Sequence, residues 1–315
     1  MKYMVGLNNQ NTDFIEDIIS RKEHISEVYF SWGDIPNGRN QQIQSEEYTA
    51  YELQRRQDKD LRRLGENGIA LNLLFNANCY GKDSLSRAFF NKTGNTIDYI
   101  KREYGLNSVT TTSPLIAKFI KNNFEDTEVR ASVNMEIGTV PAMEYVSEYF
   151  DSYYMKRECN RDFEKIAELK KWCDENGKKL YMLANSGCLN FCSAHIFHDN
   201  LVSHESEIAA MDNAYSFGGI CREFLKDVKN YSKLVEYTNF VRPEDICKYE
   251  GFFDAVKLAT RVHNNPRIVL ESYVNQRYSG DILRLLEPAH SIYPYILENG
   301  EPMKLVKITS DIAIG

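Results

Sequence analysis

Long apolar runs are missing from this 315-residue chain. No stretch approaches the roughly 18 apolar residues of a membrane-spanning helix, so membrane insertion is not expected. The opening residues Met1-Lys2-Tyr3-Met4-Val5-Gly6-Leu7 lack the extended apolar core and small-residue cleavage site of a signal peptide, and they read as a strand. The expected compartment is the cytosol. A basic excess is missing too. The 38 Lys and Arg against 45 Asp and Glu give a formal charge of −7, so the sequence carries no strong nucleic-acid signal, although a local basic groove is compatible with that balance. No Gly-x-Gly-x-x-Gly follows the first strand, which disfavours a dinucleotide-binding fold. Neither a Gly-x-Ser-x-Gly elbow nor a His-Glu-x-x-His helix occurs, so serine-hydrolase and zinc-protease readings lose support. There is no Pro/Gly/Ser linker and no low-complexity segment. One domain over 1–315 is expected.

What is present suits a large core: 43% hydrophobic residues, with 20 Tyr and 16 Phe, argue against disorder. Strand-like runs at 2–7, 27–31, 69–75, 108–112, 128–133, 151–155, 179–184 and 255–259 alternate with helical patterns. Several helix ends are marked. Asp13 with Glu16 suits a capping box. Ser45 is placed to cap a long helix ending near Gly65. Thr96 is placed to cap a helix closed by Gly105, and Ser113-Pro114 to open another. Phe163, Ile166, Leu169, Trp172 and Cys173 share one helical face that Gly177 ends. Eight strand–helix alternations at this length predict an α/β fold, a (β/α)8 TIM-type barrel, with a doubly wound open sheet as the alternative.

One region breaks the rhythm. Residues 185–253 form a long cysteine-bearing insertion before the last strand, and loops of that length are usually functional. A ninth short strand at 237–241 is a candidate inside it, leaving nine candidates for eight places. Four of the seven cysteines fall here: Cys188, Cys192, Cys221 and Cys247, separated by 3, 28 and 25 residues. In a cytosolic chain such a group points to metal ligation rather than disulfides, and four thiolates are a full set for a 4Fe-4S cluster or a structural zinc. The alternative is that they pack as small buried hydrophobes. Cys173 is expected in the core; Cys79 and Cys159 follow strand ends and are expected to pack.

His195, His198 and His204 follow the cysteine pair. Imidazoles there are candidate ligands or acid–base groups, against a plain role of bonding loop backbone. In a barrel the strand C-termini form the catalytic face, and they carry Asn76, Asn134, Arg157, Glu158 and Asn185. Asn76, Asn134, Arg157 and Asn185 are candidate substrate-binding residues, with Arg157 suited to a carboxylate or phosphate. Glu158, His198 and His204 are candidate proton carriers, although an Arg157–Glu158 pair could equally close the strand end.

The stretch Asn185-Ser186-Gly187-Cys188-Leu189-Asn190-Phe191-Cys192, with Cys221 and Cys247, resembles the cysteine region of the collagenase-like peptidase family. Tyr154-Met155-Lys156-Arg157-Glu158 is similar to the family's strand ending in Arg-Glu. Arg242-Pro243-Glu244-Asp245-Ile246-Cys247 resembles its Asp-Leu-Cys segment. Ala255-Val256-Lys257-Leu258-Ala259-Thr260-Arg261 resembles its Lys-Ile-Glu-Gly-Arg strand. The resemblance spans 129–278. It implies a barrel-type fold and an oxygen-sensitive 4Fe-4S cluster held at Cys188, Cys192, Cys221 and Cys247. It also implies chemistry such as oxygen-independent hydroxylation of RNA bases or the ubiquinone ring, in some members with a related partner subunit. This chain departs from the family's His-Gly-Ala-x-Cys, and Lys257 to Arg261 lacks the family's Glu and Gly.

Three functions follow as expectations. The first is an iron–sulfur enzyme, a hydroxylase of a small-molecule or nucleotide-like substrate. The second is a cysteine-dependent peptidase needing a Cys–His pair at the barrel mouth. The third is a non-enzymatic, cluster- or zinc-bearing partner subunit.

Overall fold

A computed structural model describes residues 1–11, 13–38, 48–215 and 217–290, with the backbone of 295–298 and 301–304. Eight parallel strands are present: β1 (Lys2–Gly6), β2 (Ile25–Phe30), β3 (Ala70–Phe75), β4 (Ser108–Thr111), β5 (Glu128–Ala131), β6 (Ser152–Tyr154), β7 (Lys179–Tyr181) and β8 (Ala255–Leu258). They hydrogen-bond in the order β7-β6-β5-β4-β3-β2-β1-β8. A parallel bridge between Leu183 and Lys257 closes the ring. Both hydrogen bonds at that bridge belong to the Lys257 backbone, Lys257 N to Met182 O at 2.9 Å and Ala184 N to Lys257 O at 3.0 Å. The fold is a (β/α)8 TIM-type barrel.

The period-two alternation of each strand sorts side chains between two environments. Val28, Leu71, Leu73, Phe75, Val109 and Val129 face outward into the apolar layer beneath the helices. The interior is unusual for such a barrel, where branched aliphatics dominate. Here Arg130 crosses it, bonding Glu27 at 2.6 Å and Glu128 at 2.9 Å, with its guanidinium 4.4 Å from the Tyr181 ring centre. Asn72 donates to Ser108 Oγ at 2.6 Å and accepts from Thr110 at 2.9 Å. Met4, Tyr154 and Leu183 fill the remainder.

The outer layer contains α1 (Phe14–Ser20), α2 (Ala50–Glu66), α3 (Arg87–Tyr104), α4 (Pro114–Asn123), α5 (Val140–Glu144) and α6 (Phe163–Glu175). The insertion adds five short helices: α7 (His195–Ser203), α8 (Glu205–Ala209), α9 (Ile220–Phe224), α10 (Val228–Tyr231) and α11 (Leu234–Tyr237). The last helix, α12 (Pro266–Val274), follows β8. Ser113 caps α4 by accepting from Ile116 N, and Gly105 ends α3 in the left-handed conformation at φ 80°, both as the sequence predicts.

Other expectations need correction. Asp13 precedes α1 without a side-chain cap bond. Thr96 lies inside α3, which begins nine residues earlier under a Ser86 cap; its hydroxyl donates to Lys92 O, so a mid-helix threonine imitates a cap. Ser45 lies outside the described residues, and α2 starts at a Thr49–Glu52 capping box instead. The ninth strand is absent. Residues 234–237 are helical, and Thr238 makes only a single antiparallel bridge with Leu189. A short antiparallel pair that the sequence did not suggest, β9 (Tyr295–Glu298) and β10 (Glu301–Lys304), closes the described chain.

Candidate active site

The C-terminal ends of the strands surround a cavity of about 100 Å³. Its wall includes Asn76 after β3, Asn134 after β5, Arg157 after β6, Cys188 after β7 and His198 on α7, and Lys257 of β8 forms its floor. The size admits a compact ligand or one group of a larger one. The loop after β2 is drawn tightly over this rim. Gly38 N donates to Asn76 Oδ1 at 3.0 Å, and a side-chain carbon at Gly38 would meet Asn134 Nδ2 at 2.8 Å.

Arg157 organises one wall. Its Nη2 donates to Asn134 Oδ1 at 2.7 Å, and Nη1 reaches Glu136 at 3.1 Å and His195 Nε2 at 2.6 Å. A guanidinium only donates, so Nε2 accepts and His195 is the neutral tautomer with its proton on Nδ1, facing Glu136 at 3.5 Å. Burial, then the Arg157 charge, pushes the His195 pKa down. Burial raises the Glu136 carboxyl to about 7 against the opposing pull of Arg157, with Glu158 and Asp199 adding to the rise. Donor atoms of Glu136, Glu158 and His195 lie within 4.8 Å of one another, a spacing that could hold a cation. The Arg157 guanidinium already bonds two of the three, so the cluster is an ion-pair network. Arg157 Nε is buried and has no hydrogen-bond partner among the described residues.

Lys257 is the other distinctive cation. Only 7% exposed, it reaches the cavity between two rings, with Nζ 4.1 Å from the Tyr29 centre and 4.9 Å from that of Tyr154. The nearest interior carboxylate, Glu27, is engaged by Arg130. Burial, then the Arg261 charge, lowers the Lys257 ammonium to about 7. Cation–π contact favours the charged form by about 2 kcal/mol when desolvated. Taking an unpaired ion out of water costs several kcal/mol, so desolvation wins.

No protein-family model matches the chain. A relative described as the uncharacterized protease MJ1657 of Methanocaldococcus jannaschii is 27% identical over 246 residues, covering 74% of this chain and 69% of its own length. The solved structure of the U32 peptidase Mk0906 superposes with a TM-score of 0.58 at 14% identity, over 82% of this chain and 92% of that one. The chain is similar to both proteins, and with the second it shares the barrel fold.

The four cysteines that the family pattern would group are divided by the fold. Cys188 lines the cavity, and burial together with the neighbouring Cys188 and Cys192 thiols raises Cys221. Gly187 turns the chain into this segment, its N–H on Glu287 O at 2.9 Å and its α-carbon too close to the Pro288 carbonyl for any side chain. Cys247 stands apart. It is exposed on a 3-10 helix, Pro243–Tyr249, of the outer layer, with its thiol 3.7 Å from Glu244 O. The chain does return to the mouth at residues 239 and 241, with Asn239 N on Cys188 O at 3.1 Å and Val241 N on Ala184 O at 2.9 Å, and it leaves again before residue 247.

The remaining candidates separate as follows. Asn76 and Asn134 line the cavity, with Asn134 holding Arg157. His198 lines it too, edge-on to Phe217 at 5.8 Å. Asn185 is fully enclosed and is not a cavity residue. Its amide donates to Ala259 O at 3.2 Å and Leu285 O at 3.0 Å and accepts from Ala259 N at 2.6 Å, so it splints β7 to β8. Glu158 accepts from Phe191 N at 3.3 Å, bracing the turn between Cys188 and Cys192. His204 lies at the junction of α7 and α8, bonded to Glu207 at 2.9 Å and to Cys79. That bond lowers the Cys79 thiol and raises His204. Cys159 and Cys173 are buried thiols, raised by desolvation to about 11 and about 12. Sequence reasoning passed over Lys257 and Glu287 as cavity groups. The signal for Lys257 was a lone basic residue in an otherwise apolar strand, Ala255-Val256-Lys257-Leu258.

Proposed function

We propose that this chain is an enzyme that binds a small anionic substrate in the barrel mouth, beside a metal centre held by Cys188, Cys192 and Cys221. The observation that carries the reading is that Cys188 lines the same cavity as Arg157 and Lys257. Three thiols, two of them close enough to act on the Cys221 thiol, are a donor set for a 4Fe-4S cluster with one iron left for another ligand. Such a cluster supplies electron transfer or polarises a bound oxygen atom. Arg157 holds the anionic group, Asn134 fixes the guanidinium, and Glu136, ionising near neutrality, moves a proton at the wall. On the family resemblance, the reaction class we assign is oxygen-independent hydroxylation of a small or nucleotide-like substrate, with a related chain as a candidate partner subunit. Anaerobic purification with iron and sulfide assay tests this reading. Near-stoichiometric iron and a visible charge-transfer band support it, and zinc without sulfide overturns the cluster.

One observation favours a second reading, a thiol hydrolase. Cys79, His204 and Glu207 form a bonded chain in which the thiol is lowered, and thiolate–imidazole pairing is the activation a cysteine nucleophile needs. Selective alkylation of Cys79 near pH 7 with loss of peptide cleavage supports it. Cleavage that survives Cys79→Ala removes it.

A further inference from the structure

Of the cations at the cavity, Lys257 stands in the most unusual surroundings. It belongs to β8, the strand that closes the barrel, and its side chain rises through the interior to the cavity floor. The charges that act on it most strongly are Arg261 on the same chain segment, Glu27 on β2, Arg130 on β5 and Arg157 after β6, and Asp199 and Glu287 line the same cavity. Three of the first four are cations, and Glu27 is already bonded to Arg130 at 2.6 Å. The Lys257 amine makes no ion pair and no hydrogen bond to the described residues, and its flanks are the faces of Tyr29 and Tyr154. A structural lysine would be paired or would extend its ammonium to water. This one is buried beneath the ligand space among cations.

We infer that Lys257 is a nucleophilic amine, and that the cavity takes small carbonyl compounds carrying an anionic group, which condense with its Nζ. The uncharged amine is the form its surroundings favour, and the lowering of its pKa to about 7 agrees with that geometry. The Nζ lone pair attacks the carbonyl carbon and forms a C–N bond. The two amine hydrogens leave with the carbonyl oxygen as water, and a C=N bond remains, so no oxidant or reductant is required. Arg157 on the adjoining wall supplies the cation for the carboxylate of a 2-oxo acid. This substrate class deepens the proposed anionic-substrate reading but does not depend on the metal.

The experiment uses the full chain, stripped of iron, incubated at pH 7 with glyoxylate and sodium cyanoborohydride. Digestion and mass spectrometry then report the carboxymethylation of each lysine. Lys257 is expected to react at least tenfold faster than the exposed Lys171, to keep that lead down to about pH 7, and to be protected by inorganic phosphate. The pocket cations must be intact for this, so Arg157→Met is expected to slow the modification of Lys257 while leaving Lys171 unchanged. Lys257→Arg, checked for folding by circular dichroism, is expected to remove the fast site. Lys257 reacting no faster than Lys171 in the unaltered chain overturns the inference, whatever the iron assay gives. Fast labelling of Lys257, together with failure of the separate iron and sulfide assay on the anaerobically purified chain, would leave the amine standing and remove the cluster.

Discussion

Arg157 Nη1 lies 2.6 Å from His195 Nε2, and this contact fixes which ring nitrogen of His195 carries a proton. Replacing Arg157 with Met removes the donor and its charge, so the His195 pKa is expected to rise. An NMR titration of the imidazole follows it directly. The same variant is expected to bind phosphate about 10- to 100-fold more weakly, the range for losing one charge-assisted hydrogen bond. A His195 titration that does not move would show that burial alone governs the ring.

Glu136 gives the site a pH dependence with a definite sign. Its carboxyl ionises near 7 in the fold against 4.5 ordinarily. Below pH 4.5 both folded and unfolded chains carry it neutral, and its contribution to stability is fully present. Between 4.5 and 7 the unfolded chain ionises first, and stability falls as pH rises. Glu136→Gln is expected to flatten that slope in thermal midpoints measured from pH 4 to 8. An unchanged slope assigns the dependence to other groups.

The buried pair at the barrel centre should be costly to break. Arg130 and Glu27 have side chains only 2% and 7% exposed. Glu27→Ala leaves Glu128 as the one carboxylate bonded to the guanidinium and is expected to destabilise the fold by about 3–5 kcal/mol, read from urea unfolding. The double change Glu27→Leu with Arg130→Met should recover much of that loss, because an apolar interior of similar volume has no ion to desolvate.

Single cysteine-to-serine changes separate a three-thiolate centre from a four-thiolate one. Serine at 188, 192 or 221 is expected to abolish iron retention and the visible band. Serine at Cys247, exposed in the outer layer, is expected to leave both unchanged. Loss of iron on changing Cys247 would mean that the segment around Pro243–Tyr249 rearranges when metal binds.

The eight strands were legible because each carries apolar residues outward at period two, a signal that does not depend on what fills the barrel. The interior was less legible. Glu27, Asn72 and Arg130 read as polar interruptions of strands, and only the closed sheet shows that they meet one another. Helix starts were readable where a cap is followed by Pro, as at Ser113, and misread at Thr96, where a hydroxyl bonds backward within a turn. The stretch 237–241 looks like a strand because Tyr, Thr, Phe and Val favour extended backbone, but it makes only isolated contacts with the chain leaving β7. Lys257 and Glu136 were missed as a pair of titrating groups because their pKa values come from burial and from neighbours distant in sequence.

The hydrogen bonds at the bridge that closes the barrel are made by the backbone of the residue whose amine forms the cavity floor. Lys257 is therefore the clasp of the ring as well as its reactive group. Strain placed on Nζ by a bound ligand passes through one side chain to the peptide units that hold β7 and β8 together. The amide protons of Lys257 and Ala184 are in consequence natural gauges of occupancy, with exchange slowing when the floor is filled and quickening when it is empty.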